Sequence, residues 1–289
     1  MKKLSVLFST ILLVAGLSTS AHAIPGASFV PFGSDTAIAA NDDGFSGTFA
    51  LNTPITFFGE AETFASVNNN GNITFDGTLS TFTPFAFPGS REIVAPYFGD
   101  VDTRGIGSGL VYYGQRDAGH ADLTGISSVV NSAGFGGTYT GTYALVATWD
   151  HVGYFGSHTD LLNTFQAVVT TDGVDTFAIF NYLDDGMFWE TGDASGGSGG
   201  FGGTEATAGF DAGNSIDFAT IPGSFAPGIA KALEDGSNIG VAGQWVFRIN
   251  DGEIIGGQNP GENVVPEPAT MALFGTGLVG AFVRRRKRA

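Results

Sequence analysis

Asn163-Thr164-Phe165-Gln166-Ala167-Val168-Val169-Thr170-Thr171-Asp172-Gly173-Val174-Asp175-Thr176-Phe177-Ala178-Ile179-Phe180-Asn181-Tyr182 is the stretch on which the fold turns. In its first half Phe165, Ala167 and Val169 share one face of an extended chain, the alternation of a strand with one side on a core. The second half, from Thr176 to Tyr182, is apolar on both faces, as a strand packed on two sides must be. Asp172-Gly173 lies between them, flanked by β-branched and aromatic residues, and tolerates the positive φ of a tight turn. An antiparallel hairpin is predicted.

The same alternation extends outward. Tyr143, Leu145, Ala147 and Trp149 share a face in the segment just before the hairpin. Further strands are predicted at 53–58, 72–75, 93–98, 109–113, 187–189, 206–210 and 244–249, with Asn70-Gly71 as a turn before the second of these. Between residues 24 and 265 no apolar period of 3.6 residues is read over three turns, and only 226–233 is predicted as a short helix. The expected fold class is mainly β: a single antiparallel β-sandwich-like domain with few short helices. The run 192–203, seven of whose twelve residues are glycine, reads as a flexible loop inside that domain.

The ends of the chain read differently. Met1-Lys2-Lys3 precedes an apolar run to Leu17, and Ala21-His22-Ala23 has the A-x-A form of a cleavage site. This is the three-part pattern of a secretory signal peptide, with Ala21 and Ala23 marking the cut. At the other end Val265-Pro266-Glu267-Pro268 is followed by apolar residues 269–283 and then Arg284-Arg285-Arg286-Lys287-Arg288. That apolar run falls short of the roughly 20 residues that span a bilayer comfortably, but the basic side chains after it can snorkel and hold the tail on the cytoplasmic side. The chain therefore divides into a signal helix (1–23), a β-rich body (24–250), a polar linker (251–263) and a tail with a hydrophobic helix (264–289).

Removing both ends changes the charge. Seven of the 12 Lys and Arg and one of the 28 Asp and Glu lie in these targeting segments, which leaves the body at a formal −22. Such a body offers no basic patch to displace phosphate counterions, so nucleic acid is excluded as a partner. It favours divalent cations and repels other acidic polymers unless calcium bridges them. Without cysteine the exported chain has no disulfides and must rely on burial, to which its 26 Phe contribute.

The tail, spelled Val265-Pro266-Glu267-Pro268-Ala269-Thr270 and ending in Arg284, Arg285 and Arg286, resembles the PEP-CTERM sorting signal of exopolysaccharide-producing Gram-negative bacteria. The resemblance implies transient anchoring in the inner membrane and cutting near Pro-Glu-Pro by an exosortase-type enzyme. The body resembles the nidogen-like NIDO domain in an ordered series. It comprises Val67-Asn68-Asn69-Asn70-Gly71-Asn72-Ile73-Thr74-Phe75, Ile93-Val94-Ala95-Pro96-Tyr97-Phe98-Gly99-Asp100-Val101-Asp102-Thr103, Val111-Tyr112-Tyr113, the Asn163 and Phe180 segments, and Ala208-Gly209-Phe210. Trp189 stands where that pattern expects a tryptophan. This resemblance implies an extracellular, non-catalytic module associated with cell–matrix adhesion.

The residues were weighed for chemistry as well. Asp100-Val101-Asp102-Thr103-Arg104-Gly105 begins like a calcium loop, but Arg104 at loop position 5 and Val111 at position 12 rule out an EF-hand. A looser calcium site on Asp100 and Asp102 is one reading; a turn in which these carboxylates cap backbone N–H groups or pair with Arg104 is the other. Asn41-Asp42-Asp43 and Asp184-Asp185 read as solvated turns. Gly196-Gly197-Ser198-Gly199-Gly200 spells a nucleophile elbow without the strand and helix that motif requires. His151 and His158 could meet across a hairpin, but no third ligand has recognisable spacing. The leading expectation is a non-enzymatic surface or matrix protein with exopolysaccharide or matrix components as partners. The alternatives are an exopolysaccharide-modifying hydrolase with an unrecognised carboxylate pair and a self-associating structural matrix protein.

Overall fold

In the computed structural model, residues 27–250 are described, so the signal peptide, linker and sorting tail predicted at the two ends lie outside the described residues. One sheet runs in the order β1 (Thr36–Ile38), β7 (Val111–Arg116), β8 (Tyr143–Tyr154), β9 (His158–Thr171), β10 (Thr176–Met187), β13 (Gln244–Arg248), with β6 (Val101–Asp102) added on β8. The other runs β12 (Phe218–Thr220), β11 (Thr207–Ala212), β5 (Glu92–Phe98), β4 (Asn72–Thr74), β3 (Glu60–Asn68), β2 (Phe45–Phe57). Every pairing is antiparallel. The hairpin expected at Asp172-Gly173 is present: Thr171 faces Thr176, and the register continues to Phe165 opposite Tyr182.

The two sheets close on one aromatic core. Tyr143, Leu145, Ala147 and Trp149 of β8 and Phe165, Ala167 and Val169 of β9 point into it, as their alternation requires. They meet Val67, Ile73, Val94, Tyr97 and Phe210 of the opposite sheet. Trp149 stacks on Phe165 with centroids 5.0 Å apart, and Tyr97 reaches Phe165 at 5.3 Å.

The two-sided apolar character of β10 has a specific cause. Ala178, Phe180 and Tyr182 enter the central core, whereas Phe177 and Ile179 point outward beneath a helix, α1 (Asp122–Ser132). This helix corrects the sequence reading, since its buried Leu123, Ile126 and Val130 do follow a helical period. They pack on Ala144, Val146 and Val168. The helix predicted at 226–233 lies slightly later, as α2 (Ile229–Asp235). Strands β1, β3 and β12 were not foreseen, and 187–189 is the end of β10 rather than a separate strand. Among the described residues no helix is long and apolar enough to cross a membrane.

Candidate functional site

At one end of the sandwich three connections converge: residues 39–44 between β1 and β2, the turn 69–71 between β3 and β4, and residues 99–100 between β5 and β6. Asparagines hold them together. The Asn69 amide N–H donates to the main-chain oxygens of Asp42 and Val101, and the Asn69 carbonyl accepts the indole N–H of Trp149 at 2.9 Å. Asn70 donates to Asp43 Oδ1 at 2.8 Å and accepts from the Val101 N–H at 2.9 Å. Asn41 folds its own loop by accepting the Gly44 N–H at 2.7 Å, and exchanges hydrogen bonds with Thr103. Gly71 makes the turn possible. Its φ is +79°, and a Cβ there would stand 1.7 Å from the Tyr97 carbonyl oxygen.

Asp100, which the sequence marked, is fully buried at this junction. Asp42 and Asp43, which the sequence assigned to a solvated turn, are brought against it: the three residues offer carboxylate oxygens all within 4.8 Å of one another. Asp102 takes a different place. Its carboxylate accepts Arg104 Nη2 at 2.7 Å, Arg104 Nε and N–H at 2.9 Å, and the Ser157 N–H at 2.8 Å. That is the Arg104-paired turn. Asp102 is thus occupied on both oxygens, and any cation reading moves from Asp102 to Asp42 and Asp43.

Electrostatics follow the geometry. Burial, reinforced by the charges of Asp42, Asp43 and Asp102, pushes the Asp100 carboxyl up to about 7. Burial and then Asp43 and Asp102 raise Asp42 to about 6, with Arg104 opposing them. For Asp102 burial acts upward, but the side-chain and backbone hydrogen bonds from Arg104 and the Ser157 N–H outweigh it and hold the carboxyl below its ordinary value. Four carboxylates therefore share one guanidinium.

The glycine-rich run packs on this site instead of hanging free. Gly192 lies so close to Asp100 that a Cβ would stand 2.4 Å from its Oδ2. Ser195, in a short 3-10 turn at Asp193–Ser195, places its hydroxyl 3.5 Å from the same oxygen. The peptide N–H groups of Glu190 and Thr191 donate to the Gly200 carbonyl and close the loop. Ser198 sits in a tight turn bridged to Phe201, with neither the strand before it nor the helix after it that an elbow needs. His151 and His158 do not meet: His151 pairs with Asp150 at 2.6 Å, while His158 stacks on Tyr154 and reaches Asp193 at 3.2 Å. Asp184 and Asp185 are exposed.

The fold and this corner together define a class: a two-sheet antiparallel module whose conserved-length turns are tied by buried asparagines and whose polar centre is a cluster of side-chain oxygens. The Nidogen-like domain family matches residues 62–251, and the chain belongs to that family. The PEP-CTERM protein-sorting motif matches residues 264–287. The chain is 42% identical to alpha-tectorin of Gallus gallus over 84% of its own length and 11% of that protein. It is 37% identical to alpha-tectorin of Homo sapiens over 76% of its length and 10% of that protein. Nidogen of Drosophila melanogaster is 33% identical over 69% of the chain and 14% of its own length. The chain thus spans only about a tenth of the curated relatives it matches. No solved structure matches it.

Proposed function

We propose that this is an exported surface or matrix protein that acts by binding, with the nidogen-like module as its working part and the sorting tail as its address. The observation that carries the reading is the presence, in one chain, of a nidogen-like domain at 62–251 and a sorting motif at 264–287. The relatives are tectorins and nidogens, proteins of the extracellular matrix, which supports a binding role over a catalytic one. In this reading residues 1–23 direct export, 24–250 form the module, 251–263 space it from the membrane, and 264–289 anchor it until an exosortase-type enzyme cuts near Pro266-Glu267-Pro268. Its partners are matrix components, exopolysaccharide among them.

Cell-free matrix from the producing bacterium and its purified exopolysaccharide provide the test. The processed chain is expected to be retained on one of them with no change in polymer length. Release of reducing ends by the chain would overturn the non-catalytic reading. Absence of retention, together with concentration-dependent self-assembly in sedimentation, would favour a structural role instead.

A further inference from the structure

Among the described residues, the buried side-chain oxygens left without a hydrogen-bond donor are Asp42 Oδ1, Asn69 Oδ1 and Asp100 Oδ1. Buried acceptors are ordinarily paired, and each exception calls for a cause. All three fall at the junction just described. Asn69 is fully buried and neutral, and its amide nitrogen is committed to the Asp42 and Val101 carbonyls, which fixes its oxygen between the two acidic loops. The nearest cation, Arg104, is committed to Asp102 and to the other oxygen of Asp42. Nothing in the protein serves the three remaining oxygens.

We propose that Asp42, Asp43, Asp100 and Asn69 form a calcium site. Two oxygens bound to one calcium at 2.3–2.6 Å can stand at most about 5 Å apart, and the three carboxylates satisfy that limit within 4.8 Å. The donors are all hard oxygens, three carboxylates and an amide, with neither imidazole nor thiol among them, which selects calcium or magnesium over transition metals. Four protein oxygens from irregular loops suit calcium, which accepts flexible geometry and completes its shell with water. Magnesium demands a near-ideal octahedron.

The location gives the ion a task. Asp42 and Asp43 lie in the connection between the two sheets, Asn69 in the turn after β3, and Asp100 under the glycine-rich loop through Gly192 and Ser195. One ion therefore ties β1, the body of both sheets and that loop at a single point. The site does not rest on the matrix reading and stands or falls by itself.

Terbium, which replaces calcium and is sensitised by nearby tryptophan, tests it on the processed chain purified from its producer, with Trp149 hydrogen-bonded to Asn69 as the donor. Saturable emission is expected, displaced by calcium and only by a large excess of magnesium, together with a higher melting temperature in calcium than in chelator. Asp43→Asn, in a half-buried loop position, and Asp100→Asn are each expected to weaken terbium binding about tenfold or more, since ligand charge sets affinity in such sites. Asp184→Asn, on an exposed turn, should leave it unchanged. If Asp100→Asn does not fold, Asp43→Asn decides. Equal melting in calcium and chelator with no sensitised emission overturns the proposal, as does emission that Asp43→Asn leaves intact.

Discussion

Gly71 and Gly173 both adopt positive φ, but only one of them is crowded. At Gly71 an added Cβ meets the Tyr97 carbonyl, whereas at Gly173, with φ +93°, it meets nothing within 4 Å. Gly173→Ala is expected to cost about 1 kcal/mol, the penalty of a left-handed backbone alone. Gly71→Ala must also move β5 and should cost roughly 3 kcal/mol or more, lowering the melting temperature by about 6–12 °C. Equal melting shifts for the two variants would contradict this account. A second residue-scale prediction concerns Glu62 on β3. Burial and then the charges of Glu92, Glu60 and Asp76 raise its carboxyl to about 7. A folded value above the unfolded one means that its contribution is present in acid and is lost as pH rises through 7. Glu62→Gln should therefore match the parent near pH 5 and melt on the order of 1 °C higher at pH 8, a small shift because the group is partly exposed. Melting curves at the two pH values check it. Asp100 was legible in the sequence because it sits in an acidic turn after a strand. Asp42 and Asp43 were not, because 57 residues of chain separate Asp43 from Asp100 and only tertiary folding brings them together.

The hairpin of β9 and β10 was legible because each part of its pattern has a local cause: alternation for the inner face, Asp-Gly for the turn, and a second apolar face. That second face also implied a covering element, which proved to be α1. The helix itself was obscured by its own residues, since Asp122-Leu123-Thr124-Gly125-Ile126-Ser127-Ser128-Val129-Val130-Asn131-Ser132 mixes glycine, serine and β-branched residues of low helix propensity. Its stability comes from burial on the sheet. Ile126→Ala, which empties a position 2% exposed, should cost about 2–5 kcal/mol. Thr124→Ala on the exposed side should stay within about 0.5 kcal/mol. Urea unfolding of the two variants decides whether α1 is integral to the core, and similar midpoints would show it to be peripheral. Strand β3 escaped the reading for another reason: Glu60, Ala61, Thr63 and Phe64 are exposed, so half the strand carries no inward pattern.

At the scale of the whole molecule the five basic residues of the body are all spent. Arg91 pairs with Asp76, Arg104 with Asp102 and Asp42, Arg116 with Asp35 and Asp122, Lys231 with Asp235, and Arg248 with Asp175. The body therefore presents acidic groups to its surroundings with no free cation among its described residues, and long-range attraction to an anionic surface or polymer is unavailable to it. Its basic charge is concentrated in the segments that flank it, above all Arg284 to Arg288. If the sorting tail is cut near Pro266-Glu267-Pro268, processing does more than release the chain: it removes the basic cluster and leaves the mature protein uniformly acidic. Intact-mass measurement of the protein recovered outside the cell should show loss of the segment beyond Pro268, and anion exchange should show later elution than the unprocessed form. A recovered chain that retains Arg284–Arg288 would mean that the tail is an anchor and not a removable address.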